Sequence, residues 1–179
     1  MTEETGSATT TDASDTESVA RSYFDRVAAR DPDGMMEHWT PGGVGTIHGI
    51  AVLTAPDEYH AWFANMFSAI SDMQFEVLEI TTEDDRAAVR WRAKGTFDGT
   101  TRFEGIEPNG AVIEMEGVDL LTIRDGKLVS LEAYMNGAEM ARQMGLLPPQ
   151  GSAPEKALNG LFNLKTRAVG AVQRRRSQH

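Results

Sequence analysis

Three side chains stand where proton chemistry could be done. Asp119 lies in an alternating run in which Ile113, Met115, Leu121 and Ile123 share its parity. Successive strand side chains point to opposite faces, so this carboxyl points with the apolar residues. A carboxyl there is costly unless it is protonated, paired or hydrogen-bonded. It reads as a functional acid, or as a buried acid satisfied by a neighbour. Tyr23 falls on the apolar side of the first helical repeat. A phenol on an apolar helix face keeps a hydrogen-bond donor; it can also be a core aromatic whose hydroxyl reaches the rim. His48 carries a side chain that suits proton transfer, although a histidine in a loop reads equally well as an exposed residue. His38 and His60 read as surface or packing residues.

Other chemistries find little to work with. There is no cysteine, which excludes disulfides, thiol catalysis and Cys-ligated zinc or iron–sulfur sites. The sequence has no His/Asp/Glu cluster with metal spacing, no glycine-rich phosphate loop and no nucleophile with its own base. No metal and no cofactor is expected. The 17 Lys and Arg against 27 Asp and Glu give a formal net charge of -10, which speaks against a nucleic-acid partner. That charge is unevenly laid out. Residues 1–18 carry five acids and no base, residues 19–150 hold 21 acids and 11 bases, and residues 151–179 carry one acid and six bases.

The elements that must position these residues follow from periodicity. Val19, Ala20, Tyr23, Phe24 and Val27 recur at helical spacing, so a first helix starts near Asp15 or Thr16. Asp31-Pro32-Asp33 reads as an N-cap with proline at the first helical position, opening a short helix that carries Met35, Met36 and Trp39. Pro41-Gly42-Gly43 ends it and begins a loop, with a short extended piece over Val44 to Ala51. A third helix starts at Thr54, with Asp57 completing a weak capping box, and its apolar face is Tyr59, Trp62, Phe63, Met66, Phe67 and Ile70.

From Met73 the period changes to two. Arg86 to Phe97 sets Ala87, Val89, Trp91 and Ala93 against Arg86, Arg90, Arg92 and Lys94, the pattern of an antiparallel strand with one face covered and one wet. Ala111 to Ile123 and Leu128 to Met135 flank Arg124-Asp125-Gly126-Lys127, a strong hairpin signal. Residues 137–146 read as a short helix. Residues 148–179 read as a linker and a basic amphipathic helix with Leu158, Leu161, Phe162, Val169 and Val172 near one face. That helix could dock on its own acidic body, pair with another subunit, or, less plausibly, lie on an anionic membrane. Residues 1–14 are Thr/Ser- and acid-rich, a composition that favours disorder. With no secretory signal and no spanning run, a cytoplasmic location is the expectation. Helices first and strands after them mean an α+β fold with helices packed on one face of a curved sheet.

Residues 19–147 resemble the SnoaL-like polyketide cyclases, within the superfamily of ketosteroid isomerase and nuclear transport factor 2. The resemblance rests on an ordered run: YFDRVAARDPDGMMEHW, YHAWFANMFSAISDMQFEV, DRAAVRWRAKGTFDG, GIEPNG, GVDLLTIRDGKL and ARQMGLLP. It implies a domain over residues 15–147 shaped as a cone-like roll. Three N-terminal helices would pack on a curved, mostly antiparallel sheet around a deep apolar cavity, often in a homodimer. It further implies a cofactor-independent enzyme of enolisation chemistry, an isomerase or aldol-type cyclase, acting on a bulky apolar polyketide- or steroid-like molecule. A non-catalytic binding or dimerising module of the same fold is the alternative. By the resemblance, Asp119 matches the protonated aspartate of an oxyanion hole, Tyr23 its tyrosine partner, and His48 the general base. Trp62, Met66, Trp91 and Met115 would form cavity wall, and Tyr134 and Asn136, with Glu132 as the alternative, would supply polar contacts to the substrate. Two positions depart from related patterns. Ala133 stands where the cyclases usually carry an acid, and Gly117 stands where limonene epoxide hydrolases carry an arginine.

Overall fold

The computed structural model describes residues 13–176. Most of the acidic tail expected over residues 1–14 therefore lies outside the described residues; its last two residues already belong to the first helix. That helix, α1 (Ala13–Ala28), is followed by α2 (Pro32–Met36), β1 (Trp39–Ile47), β2 (Ala51–Thr54), α3 (Asp57–Ala69), β3 (Gln74–Glu83), β4 (Arg86–Phe97), β5 (Ala111–Arg124), β6 (Lys127–Met135), α4 (Gly137–Gln143) and α5 (Ala153–Arg176). The architecture is the expected α+β, with helices laid on an open, curled six-stranded sheet in the order β2-β1-β6-β5-β4-β3. Every adjacent pair is antiparallel except β1 with β6.

The periodic residues do what their spacing requires. In α1, Ala20, Tyr23, Phe24 and Val27 are buried, and the helix crosses β3 and β4. Asp31 caps α2 by accepting from the Gly34 N–H at 2.9 Å, the role its place before proline implies. In β4 the inward residues Ala87, Val89, Trp91 and Ala93 are buried. The outward side chains form cross-strand ion pairs, Arg90 with Glu79 and Glu116, Arg92 with Glu116, and Lys94 with Glu114. The β5–β6 turn places Asp125 and Gly126 at φ 51° and 72°, the left-handed conformation that suits a tight hairpin.

Three expectations are corrected. Trp39 opens β1 rather than closing α2, and Pro41-Gly42-Gly43 lies within β1 rather than ending a helix. The glycines there serve aromatic packing: a Cβ at Gly43 would sit 2.8 Å from the Trp39 ring, and one at Gly45 would collide with the ring of Tyr59. Bare backbone lets both aromatics lie against the strand, so a glycine-rich stretch that reads as loop is a strand under two rings. The third helix begins at Asp57 because β2 runs through Thr54. The Thr54 N–H donates to Glu58 Oε2 at 2.8 Å, in place of a box with Asp57.

Beyond α4, α5 is an appended element whose described apolar residues, among them Leu161 at 65% and Phe162 at 64%, are exposed. Arg142 of α4 meets Glu155 of α5 at 3.4 Å. No helix of the described residues is long and apolar enough to cross a membrane.

Candidate functional site

The inner face of the sheet, α1 and α3 enclose an apolar pocket of about 70 Å³. Its wall is built by alternation. Trp91 and Ala93 of β4, Ile113 and Asp119 of β5, and Leu131 and Ala133 of β6 all point inward and are buried. Six methionines line it, Met66, Met73, Met115, Met135, Met140 and Met144, the last two from α4 and the residue that ends it. Among the described lining residues Asp119 is the one carboxyl, and Tyr23 and Tyr59 are the hydroxyls.

Asp119 is 7% exposed. Trp91 Nε1 donates to its Oδ1 at 2.7 Å, and among the described residues Oδ2 has no hydrogen-bond partner. Burial pushes this carboxyl up to about 7, with the Trp91 bond partly offsetting the rise. Loss of hydration disfavours the charged form, while a donor to the carboxylate favours it. The acid is thus poised to take or give a proton near neutral pH.

Tyr23 and Tyr59 face each other across the pocket with their hydroxyl oxygens 3.1 Å apart. Burial raises the pKa of each, and the charge of Asp119 raises both further, so the two phenols stay neutral. One hydroxyl donates to the other, and the acceptor keeps its own hydrogen for a ligand oxygen. Trp39 lies against this pair, its ring 4.6 Å from Tyr59 and 6.4 Å from Tyr23. Its Nε1 is buried without a hydrogen-bond partner among the described residues.

The structure brings Tyr23, Asp119, Trp62, Met66, Trp91 and Met115 to one pocket. It places His48, Tyr134 and Asn136 elsewhere. Ile47, the last residue of β1, points into the pocket, and His48 opens the turn that follows it. Its Nε2 lies 3.0 Å from Glu132 Oε2 on the opposite face of the sheet. Strand alternation turns Tyr134 outward, between inward Ala133 and Met135, and it stacks on His48 at 4.1 Å. Its hydroxyl donates to Glu132 at 2.7 Å. Asn136 caps α4 by accepting from the Glu139 N–H at 3.1 Å. None of these three lines the pocket, and the expectation that His48 supplies its base is corrected. Ala133, directly opposite Asp119 in the β5–β6 register, lines the pocket without any polar atom in its side chain.

Sequence reasoning counted Tyr59 only as apolar helix face and Trp91 only as wall. The available signal was chemical: a phenol or indole on a fully buried stripe needs a partner for its polar atom. Among the described residues no group of three or more His, Asp or Glu side chains is placed to hold a metal ion.

The profile of the SnoaL-like domain matches residues 20–131. The chain belongs to the SnoaL-like domain family. Solved structures of the same fold include AclR from Streptomyces galilaeus, a candidate hydroxylase, at 24% identity, covering 76% of this chain and 100% of its own, with a TM-score of 0.67. A candidate SnoaL-like polyketide cyclase from Jannaschia sp. CCS1 is 21% identical and covers 82% of this chain and 100% of its own, with a TM-score of 0.68. A protein with a ketosteroid isomerase-like fold from Catenulispora acidiphila, in complex with trimethylamine, is 16% identical and covers 75% of this chain and 96% of its own, with a TM-score of 0.60. No curated protein matches the chain by sequence. The family match stops short of α5.

Proposed function

We propose that this SnoaL-like domain enolises an apolar carbonyl compound of the polyketide or steroid kind, without a cofactor. The observation that carries this reading is one buried carboxyl, Asp119, sharing an apolar pocket with the Tyr23–Tyr59 hydroxyl pair. The carbonyl oxygen accepts from the spare hydroxyl of the pair. Ionised Asp119 takes a proton from the adjacent carbon at Oδ2, and the C–H electron pair flows into the enolate. The oxygen then carries negative charge, and the phenol donating to it strengthens its bond where water is excluded. Asp119 returns the proton to another carbon in an isomerisation. In an aldol closure the enolate carbon attacks a second carbonyl, whose oxygen takes that proton. Asp119 is here the base, in place of the neutral donor that the resemblance implies, because His48 lies outside the pocket.

The pocket, at about 70 Å³, is smaller than the roughly 300 Å³ at the low end of usual ligand sites. Its six methionines supply the give, since unbranched thioether side chains repack readily around a guest.

The reading is tested with 2-tetralone, an apolar bicyclic ketone, in D2O, following α-deuteration by NMR. The wild type is expected to speed exchange, with a rate that rises with pH and levels off above about 7 as Asp119 ionises. Asp119→Asn is expected to lower the enzymatic rate by about 10²-fold or more, the usual worth of a general base. Equal rates in the two proteins would overturn the proposal. Ala133 favours a second reading, a binding module, because it leaves no further proton-handling group beside Asp119. In that case native mass spectrometry finds a retained apolar ligand and the wild type catalyses no exchange.

A further inference from the structure

We propose that Trp91 is a positioning residue that holds Asp119 by Oδ1 and leaves Oδ2 as its working oxygen, and that Gly117 is the residue that makes room for it. The inference deepens the proposed role of Asp119 and rests on that reading for its catalytic meaning.

Trp91 of β4 stands directly opposite Gly117 of β5, and Asp119 lies two residues further along the same face of β5. Diagonal neighbours on one face of a sheet are within reach of a large aromatic side chain. The indole can lie across β5 only because position 117 has no side chain. A Cβ there would collide with Trp91 Cζ2, lie 2.8 Å from its Cε2, and meet the backbone oxygen of Tyr134 at 2.7 Å. Both contacts are too short to keep, so the indole and the adjoining backbone would have to shift. On its other side the ring packs against Phe75, centroids 5.2 Å apart, and Trp91 is 4% exposed. The ring is thus held between Phe75 and the gap at Gly117, with its N–H 2.7 Å from Asp119 Oδ1.

The chemistry of this contact is one-directional. An indole N–H donates and never accepts, so Oδ1 is an acceptor in both protonation states and the proton of the neutral acid resides on Oδ2. The same atom takes the proton when Asp119 acts as base. The other groups facing Asp119 are Tyr23 of α1 and Tyr59 of α3, both kept neutral by burial, while β4 presents Val89 and β6 presents Ala133. His48 and Glu132 are on the opposite face of the sheet.

The test needs no ligand. In ¹H–¹⁵N spectra the chain has three indole signals, from Trp39, Trp62 and Trp91. The Trp91 signal is expected to shift with a midpoint near 7 between pH 5 and 9, and to stay still in Asp119→Asn. Trp91→Phe removes a donor to the carboxylate, so the Asp119 carboxyl, followed by ¹³C NMR, is expected to titrate about one to two pH units higher. Gly117→Ala, which displaces the indole but retains it, is expected to shift that midpoint in the same direction. The pH profile of 2-tetralone exchange should move with it. A stationary Trp91 signal in the wild type, or an unmoved carboxyl midpoint in the folded variants, would overturn the proposal. If Trp91→Phe does not fold, the wild-type indole titration and Gly117→Ala decide it. An indole that follows Asp119 in a protein without exchange activity upholds the positioning and fails only the proposed function.

Discussion

Replacing Asp119 by asparagine should remove a pH dependence of stability that the wild type carries. The folded carboxyl titrates at about 7 against 3.8 for the group in an unfolded chain. The folded state therefore holds this proton more tightly, and unfolding releases it. Stability is highest below 3.8, falls as pH rises through about 7, and is flat above. The full span is roughly 4 kcal/mol at 1.36 kcal/mol per unit, of which roughly 2.5 kcal/mol lies between pH 5 and pH 8. With a urea dependence of about 2 kcal/mol per molar for a domain of this size, the wild-type midpoint should drop by about 1 M over that interval. The asparagine variant has no proton to release here and keeps an acceptor for the Trp91 N–H, so its own profile lacks this component. The histidines are common to both proteins and cancel in the difference. Asp72, Glu116 and Glu132 are held below the ordinary carboxylate range by their hydrogen bonds, so they act only at lower pH. Urea melts of both proteins at pH 5, 6, 7 and 8 give the difference curve. Parallel profiles would refute the claim that Asp119 is buried as a titrating acid in the folded state.

Three further outcomes follow from the same geometry. Tyr23→Phe and Tyr59→Phe should each cost about 1–2 kcal/mol in urea melts, because the surviving hydroxyl loses its partner. The double variant should fall short of the sum by about 1 kcal/mol, and strict additivity would mean the two phenols do not interact. His48→Ala should leave 2-tetralone exchange unchanged, since its ring pairs with Glu132 and Tyr134 outside the pocket; a large loss of rate would return the histidine to the chemistry. Ala133→Asp places a second carboxyl opposite Asp119. Two acids side by side cannot both ionise cheaply, so this variant should lose more stability between pH 5 and 8 than the wild type, and an unchanged slope would contradict the placement of Ala133.

Period-two and helical spacing are local properties, and they carried most of the fold. The inward parity of Asp119, Trp91 and Ala93, the helix holding Tyr23, and the Asp125-Gly126 hairpin were all legible because each depends on neighbours a few residues away. The acid on the apolar face was legible for the same reason. The glycines of β1 were not. The meaning of Gly45 depends on Tyr59, which arrives from α3 and packs against it. His48 was misplaced because its face depends on where β1 ends, and a strand's length is decided by its partners β2 and β6.

The amino-acid sequence by itself determined which residues could be buried, the α+β class, and the presence of a carboxyl with nowhere polar to go; the expected order of helices first and strands after is corrected by β1 and β2, which precede α3. Only the tertiary structure decided which polar groups that carboxyl meets. The Tyr23–Tyr59 contact spans 36 residues and the Trp91–Asp119 contact 28. Hydrogen bonds at such separations are set by how helices and sheet close on one another, and no local period encodes the distance between their ends. Burial alone would leave Asp119 a core acid without a partner; the indole that bonds one oxygen and the phenols that line the same pocket are what the closed fold adds.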